Sequence, residues 1–165
     1  MVVRLRRPSK GALFISPMDP APRTAILAPG FRHTRLVRVF PQGWNEKAKR
    51  FNPACIAGRL EQLLAVAHDG WPVEQAVVVF TYAGGEELTP SNRESLWDTF
   101  GVPVFEQYLN ARNRLLATEC DAHSGLHVVS GCEGFRLETD VCACGNAAPR
   151  LTRGPRIDEL AGLLA

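Results

Sequence analysis

The chain has 165 residues, of which 45% are hydrophobic, and a formal net charge of +2. This length fits one compact domain with its own core, and the nearly balanced charge gives no bulk electrostatic reason to expect nucleic-acid binding. No apolar run is long enough to span a bilayer or to form a signal-peptide core, so we expect a cytoplasmic protein without a membrane partner.

The chain opens with a segment that lacks a regular pattern, and two short strands follow it. Residues 1–23 are basic and then proline-rich, which predicts an extended lead-in. The apolar run at 24–29 and the alternating run at 34–40 each predict a strand.

From residue 52 onward the pattern alternates between helix and strand. Asparagine followed by proline at 52–53 is typical of a helix start, which predicts a helix over residues 53–68. The nearly continuous apolar run at 75–81 predicts a strand covered on both faces. A Thr-Pro start predicts a helix over 89–100, and a further strand follows at 102–108.

The chain changes character after residue 110. Three short runs predict antiparallel strands at 115–118, 126–130 and 135–137. Upstream, the strand–helix–strand spacing predicts an α/β fold with a partial parallel or mixed sheet and flanking helices. The predicted division is therefore a lead-in at 1–23, an α/β core at 24–110, a Cys/His-bearing β extension at 111–155 and a short C-terminal helix at 156–165.

Four potential metal ligands lie in this extension, namely Cys120, His127, Cys142 and Cys144. Five cysteines in all, two of them one residue apart, make a poor disulfide framework. Three thiolates and one imidazole suit a closed tetrahedral zinc site, which holds structure rather than performing chemistry. Glycine at 145 lets the backbone turn sharply behind the Cys-x-Cys pair.

Other interpretations of these residues remain open at this point. They are also consistent with ordinary buried cysteines and a surface histidine. His123 or Cys132 is able to replace one of the named ligands. A thiolate activated by imidazole would instead be a nucleophile, but the sequence supplies no orienting third group. A Cys₃His zinc site carries a formal charge of −1, which Arg136 or Arg150 would offset.

Residues 80–151 resemble a known enzyme family. The stretches GGEELTPSNRESLWDTFGVPVFEQY, ATECDAHSGLHV and ETDVCACGNAAPRL are similar to segments of the phenylacetate–CoA ligase-like branch of the adenylate-forming enzymes. In some members of that branch the matching Cys and His positions bind a structural zinc. The resemblance thus implies a zinc site at the same four residues that the spacing indicates.

The same resemblance implies a weakened nucleotide site. It assigns remnants of that site to Glu86, Tyr108 and Asp140, the last as the aspartate that holds ribose hydroxyls. Arg112 stands where the family has a glutamate that supports magnesium–ATP, and a fixed cation should repel Mg²⁺. The family's Gly-rich phosphate loop and its C-terminal domain with a catalytic lysine have no counterpart in the sequence.

These departures shape the functional expectation. Adenylation needs nucleotide positioning, a metal and charge stabilisation together, so we expect no adenylation by this chain alone and no catalytic residue in it. We expect a zinc-binding, catalytically degenerate remnant of a ligase that acts as a binding or accessory protein. It would work as a homo-oligomer or together with a ligase or a carrier protein. The alternatives are part of an AMP-forming acid–CoA ligase completed by another polypeptide, and a small zinc-containing nucleic-acid-binding module.

Overall fold

The structure is a computed structural model that describes residues 10–151. The C-terminal helix predicted at 156–165 lies outside the described residues, as does the start of the lead-in. Within them the chain forms one mixed nine-stranded sheet with three helices, which confirms the predicted α/β fold class. The division of the chain at residue 110 stays a prediction, and the sheet runs continuously across it.

The strands divide the sheet into a parallel half and an antiparallel half. The spatial order is β2-β1-β3-β4-β5-β6-β7-β9-β8, with parallel pairing from β2 to β5 and antiparallel pairing from β5 onward. The bounds of the strands are β1 Thr24–Ile26, β2 Val37–Val39, β3 Cys55–Gly58, β4 Ala76–Tyr82, β5 Val104–Leu109, β6 Leu115–Glu119, β7 Leu126–Val128, β8 Leu137–Glu138 and β9 Arg150–Leu151; the helices are α1 Glu46–Phe51, α2 Leu60–Asp69 and α3 Pro90–Phe100.

Two hydrophobic clusters lie on opposite faces of the parallel half. Helices α2 and α3 cover one face through Leu63, Val66 and Leu96, all fully buried. Phe14 from the lead-in and Phe31 cover the other face, and both rings pack against Phe80 of β4. The parallel strands are therefore covered on both sides, as their nearly continuous apolar runs predict.

Helix α3 follows the sequence prediction closely. Thr89 is its N-cap, and the Thr89 Oγ1 accepts a hydrogen bond from the Asn92 amide at 3.1 Å. Pro90 occupies the first turn, where a missing N–H costs nothing. Gly101 ends the helix in the left-handed conformation at φ 64°.

The helix predicted over residues 53–68 is wrong in its first part. Residues Cys55–Gly58 form the buried strand β3 between β1 and β4, and α2 begins only at Leu60. Asn52 caps the end of α1, a helix that the sequence pattern did not predict, rather than the start of the next one. A short apolar run fits a buried strand and a buried helix equally well by periodicity, which explains the error.

A buried charge network joins α3 to strands β5 and β6. The Arg93 Nη1 lies 3.0 Å from the Glu119 Oε2, and the Arg93 Nη2 lies 3.8 Å from the Glu106 Oε2. Both carboxylates are almost fully buried. The Glu106 amide also donates to the Glu119 Oε2 at 2.7 Å, and the Thr81 hydroxyl donates to the Glu106 Oε1 at 2.8 Å. The arginine thus compensates two buried carboxylates at once.

We predict that Arg93→Met lowers the free energy of unfolding by about 3 kcal/mol, because it removes the cation that both buried carboxylates face. Urea denaturation measures the change. The matched control is Arg35→Met, which removes an exposed arginine and should stay within about 0.5 kcal/mol of wild type. Equal losses in the two variants would contradict the proposed importance of the network.

Candidate metal centre

The structure brings the four sequence-predicted ligands together. Cys120 lies in the turn after β6, His127 lies on β7, and Cys142 and Cys144 lie in the loop before β9. Their ligand atoms, three Sγ and one imidazole nitrogen, all lie within 4.8 Å of one another. Residues from three separate segments therefore converge on one point at the antiparallel end of the sheet.

The interatomic distances suit a tetrahedral ion. The Cys120 and Cys142 Sγ atoms are 3.7 Å apart, and the Cys144 Sγ is 3.4 Å from the His127 Nε2. Two sulfurs bound to one zinc at ~2.3 Å and the tetrahedral angle lie about 3.8 Å apart, and a sulfur and a nitrogen about 3.6 Å apart. The free thiols are thus already spaced as the ligands of one ion.

His127 is oriented by its second ring nitrogen. Its Nδ1 lies 3.2 Å from the Ala148 carbonyl oxygen, which only accepts hydrogen bonds, so Nδ1 carries the proton. The Nε2 lone pair then faces the cysteines. A backbone carbonyl that fixes the tautomer in this way is the usual support of a metal-binding histidine. The side chain is only 3% exposed, which further restricts the ring.

The Cys-x-Cys turn supports its two sulfurs with backbone amides. The Gly145 amide donates to the Cys142 carbonyl at 2.8 Å, with Gly145 at φ 85°, and the Asn146 amide donates to the Cys144 Sγ at 3.4 Å. The Cys144 amide, together with the neighbouring thiols and His127, lowers the pKa of Cys142 to about 6. The lowered pKa favours the thiolate of Cys142, which is the form that binds a metal.

Cys120 differs from Cys142 because its surroundings favour the thiol. Burial, together with the other two cysteines, raises the pKa of Cys120 to about 11. Without an ion, Cys120 can donate its proton towards the Cys142 thiolate across the 3.7 Å gap. A divalent cation would replace that proton and satisfy all three sulfurs.

The turn that carries Cys120 is held by groups that the sequence pattern did not indicate. The His123 amide donates to the Cys120 carbonyl at 2.9 Å, and the His123 Nδ1 lies 3.3 Å from the Glu119 Oε1. Burial raises the pKa of Glu119 against the opposing effects of Arg93 and His123. A buried carboxylate next to a metal ligand has no signature in hydrophobic periodicity, which is why sequence reasoning missed its role.

The two spare candidates, His123 and Cys132, lie outside the ligand group. His123 contacts Glu119 and packs its ring 5.1 Å from the ring of Phe105. The buried Cys132 thiol donates to the carbonyl oxygens of Leu116 and Ser130 at 3.6 and 3.5 Å. The four residues that converge are therefore the four that the sequence spacing predicts as ligands.

Of the two arginines considered as charge compensation, Arg150 lies beside the ligand group. It is directly opposite His127 in the β7–β9 pairing and is only 7% exposed. Its Nη1 donates to the Ser124 hydroxyl at 2.7 Å, and its Nη2 lies 3.4 Å from the Glu138 Oε2. Its Nε is buried without a hydrogen-bond partner among the described residues. Arg136 is exposed.

The residues assigned to a nucleotide-site remnant lie in three different elements. Glu86 is exposed in the loop after β4, Tyr108 is half-buried on β5 with its ring 5.9 Å from that of Phe135, and Asp140 is exposed in the loop before Cys142. Their role in nucleotide binding stays a prediction.

A cleft of about 470 Å³ lies at the carboxyl ends of β3 and β4, and Glu86 lines it. Arg59, at the start of α2, also lines the cleft and stacks over the Tyr82 ring at 4.7 Å. The carboxyl edge of parallel strands is where α/β proteins bind ligands. This cleft is separate from the four ligands, none of which lines it.

No protein-family model matches the sequence, and a search of curated proteins gives no match.

We predict that alkylation will divide the five cysteines into two groups. In the presence of a chelator, iodoacetamide should modify the exposed Cys144 and the partly exposed Cys120. Cys55, Cys132 and Cys142 should stay largely unmodified in the folded protein because all three are buried, and burial raises the pKa of Cys55 to about 12. Peptide mass spectrometry distinguishes the five sites. Modification of all five at equal rates would contradict the grouping.

Proposed function

We propose that Cys120, His127, Cys142 and Cys144 bind one zinc ion that holds structure. The observation that carries this proposal is the convergence of four ligand atoms within 4.8 Å. Soft thiolates with one imidazole favour zinc over the hard cations. Since the protein fills all four positions, no position is left for water or substrate, which a catalytic zinc requires.

We also propose that the chain is a catalytically degenerate remnant of an acyl- or aryl-CoA ligase core that acts as a binding or accessory protein in the cytoplasm. The sequence resemblance supports this proposal, and so does the cleft lined by Glu86 at the carboxyl edge of the sheet. Arg112, exposed in the turn after β5, places a cation where the resemblance implies a magnesium-supporting glutamate. The partner of the proposed accessory protein would be a ligase, a carrier protein or a second copy of this chain.

The same cleft favours a second candidate, an AMP-forming acid–CoA ligase part that another polypeptide completes. Its volume of about 470 Å³ is within the range of small-molecule sites. Under this alternative the partner would supply the phosphate loop and the lysine-bearing domain.

No helix in residues 10–151 is long and apolar enough to cross a membrane.

Zinc content tests the metal proposal. Protein purified without added metal should carry one zinc per chain, and Cys142→Ser should lose the zinc and destabilise the antiparallel half, because metal binding and local folding are coupled. Elemental analysis and thermal unfolding measure the two effects. The matched control is Cys132→Ser, which changes a buried thiol outside the ligand group and should keep its zinc.

The metal proposal would be wrong if the purified wild-type protein carried no zinc and a chelator left its melting temperature unchanged. The same holds if Cys142→Ser keeps its full complement of zinc.

Acid-dependent ATP–pyrophosphate exchange separates the two functional candidates. The purified chain alone should show no exchange above background with aryl or acyl acids, because Arg112 stands where the resemblance implies a magnesium-supporting glutamate and a fixed cation there would repel Mg²⁺. Exchange by the chain alone would refute the accessory proposal. Exchange that appears only with a second polypeptide would favour the completed ligase.

A further inference from the structure

An exposed aliphatic patch lies on the face of the sheet opposite α2 and α3. It consists of Leu13, Ile15 and Val129, which are 56%, 49% and 52% exposed. All three line one open cleft of about 630 Å³. Phe14, between the first two, faces the core and is only 7% exposed, so the extended segment alternates and directs Leu13 and Ile15 outward.

The segment that carries Leu13 and Ile15 is tied to the sheet. The Ala12 amide donates to the Gly30 carbonyl at 2.8 Å, and the Arg32 amide donates to the Ala12 carbonyl at 2.9 Å. The buried Gln107 side chain donates to the Ile15 carbonyl at 2.7 Å. The backbone is thus fixed in a position that leaves both aliphatic side chains exposed.

Two arginines, Arg112 and Arg114, line the same cleft from the turn between β5 and β6. The Asn110 Oδ1 accepts hydrogen bonds from both arginine amides, at 2.9 and 3.0 Å. The Asn113 side chain ties the turn to the neighbouring loop through the Pro29 carbonyl at 3.1 Å. The positions from which the two arginines project are therefore preorganised.

The described lining of the cleft is positively charged. Its charged members are Arg112 and Arg114, and none of the described residues that line it is acidic. Within residues 10–151, neither Arg112 nor Arg114 has an ion-pair partner at salt-bridge distance. An aliphatic patch with an arginine rim has the composition of a protein interface, where arginine is enriched around an apolar centre.

We propose that the aliphatic patch with Arg112 and Arg114 is a docking surface for an acidic segment of a partner protein that also carries aliphatic side chains. The charge of the rim selects the acidic partner, and the patch takes its aliphatic groups. The inference rests on the accessory role proposed above and names the surface that would perform it.

Two other occupants fit the surface less well. A symmetric dimer through this face would place Arg112 and Arg114 near their own copies, which like-charge repulsion opposes. A small ligand is usually enclosed over most of its surface, whereas the patch side chains are about half exposed in an open cleft.

Selection from a displayed library of short random peptides, with the full 165-residue chain as target, tests the proposal. The enriched peptides should contain two or more acidic residues together with an aliphatic residue. Synthetic copies should bind wild type in a salt-dependent way. They should bind the Arg112→Glu/Arg114→Glu variant and the Leu13→Ser/Ile15→Ser variant at least about tenfold more weakly.

The control variants carry the same types of substitution, one at a time, at positions outside the cleft. Arg50→Glu on α1 and Leu64→Ser on α2 change exposed residues that do not line the cleft, and they should bind the peptides as wild type does. All variants should keep the zinc content of wild type. A variant that no longer binds the peptides but keeps its zinc content therefore has its defect at this surface and not at the metal centre.

Three results would overturn the proposal. The first is a selection that enriches no peptides or peptides without acidic residues, and the second is full binding to the charge-reversed variant. The third is binding of a small amphiphile such as decanoate to the patch when no peptide binds. Exchange activity by the chain alone would refute the accessory role by itself, whatever the peptides do, so the two failures are distinguishable.

Discussion

The convergence of three thiols and one imidazole is the constraint on which the antiparallel half of the sheet depends. Both large hydrophobic clusters end with residues no later in the chain than Leu115. Beyond that point β7, β8 and β9 have only two or three residues each, and Val141 is 70% exposed. Leu116, Ala117 and Leu126 are buried there, but this part of the sheet buries fewer large apolar side chains than the parallel half and gains less stability from them. A tetrahedral ion shared by Cys120, His127 and the Cys-x-Cys turn would supply the missing cross-link.

The metal centre is connected to the core through strand β6. Glu119 ends this strand, Cys120 follows it directly, and Arg93 links Glu119 to helix α3 and to Glu106 of β5. Its two carboxylates are buried and share one cation, so the network costs little only while Arg93 and the hydrogen-bond donors are in place. It fixes the start of the turn that presents Cys120. The position of Cys120 therefore depends on packing in the parallel half of the sheet, although the four candidate ligands lie outside that half.

Local patterns predicted those parts of the structure that local chemistry determines. Helix α3 has a Thr-Pro start and a glycine stop, and its bounds follow from these residues. The ligand group follows from spacing, because Cys142 and Cys144 share one turn. The strand Cys55–Gly58 does not follow from its own short apolar run, because its neighbours β1 and β4 decide its conformation. The contacts of Glu119 are likewise not predictable from local patterns, since Arg93 and Glu119 come together only after folding.

The separation of metal centre and cleft bears on function. An ion held by all four side chains would have no open position for substrate. The proposed ligand or partner binding would then occur at the cleft on the carboxyl edge of the parallel strands or at the cleft beside the aliphatic patch. Tyr82 connects these two regions, because its ring stacks under Arg59 in the cleft and its hydroxyl donates to the Asn113 side chain at 2.7 Å. Asn113 belongs to the turn that carries Arg112 and Arg114. One side chain therefore joins the lining of the cleft to the turn that presents the arginine rim, so a substitution at Tyr82 would alter the packing of both.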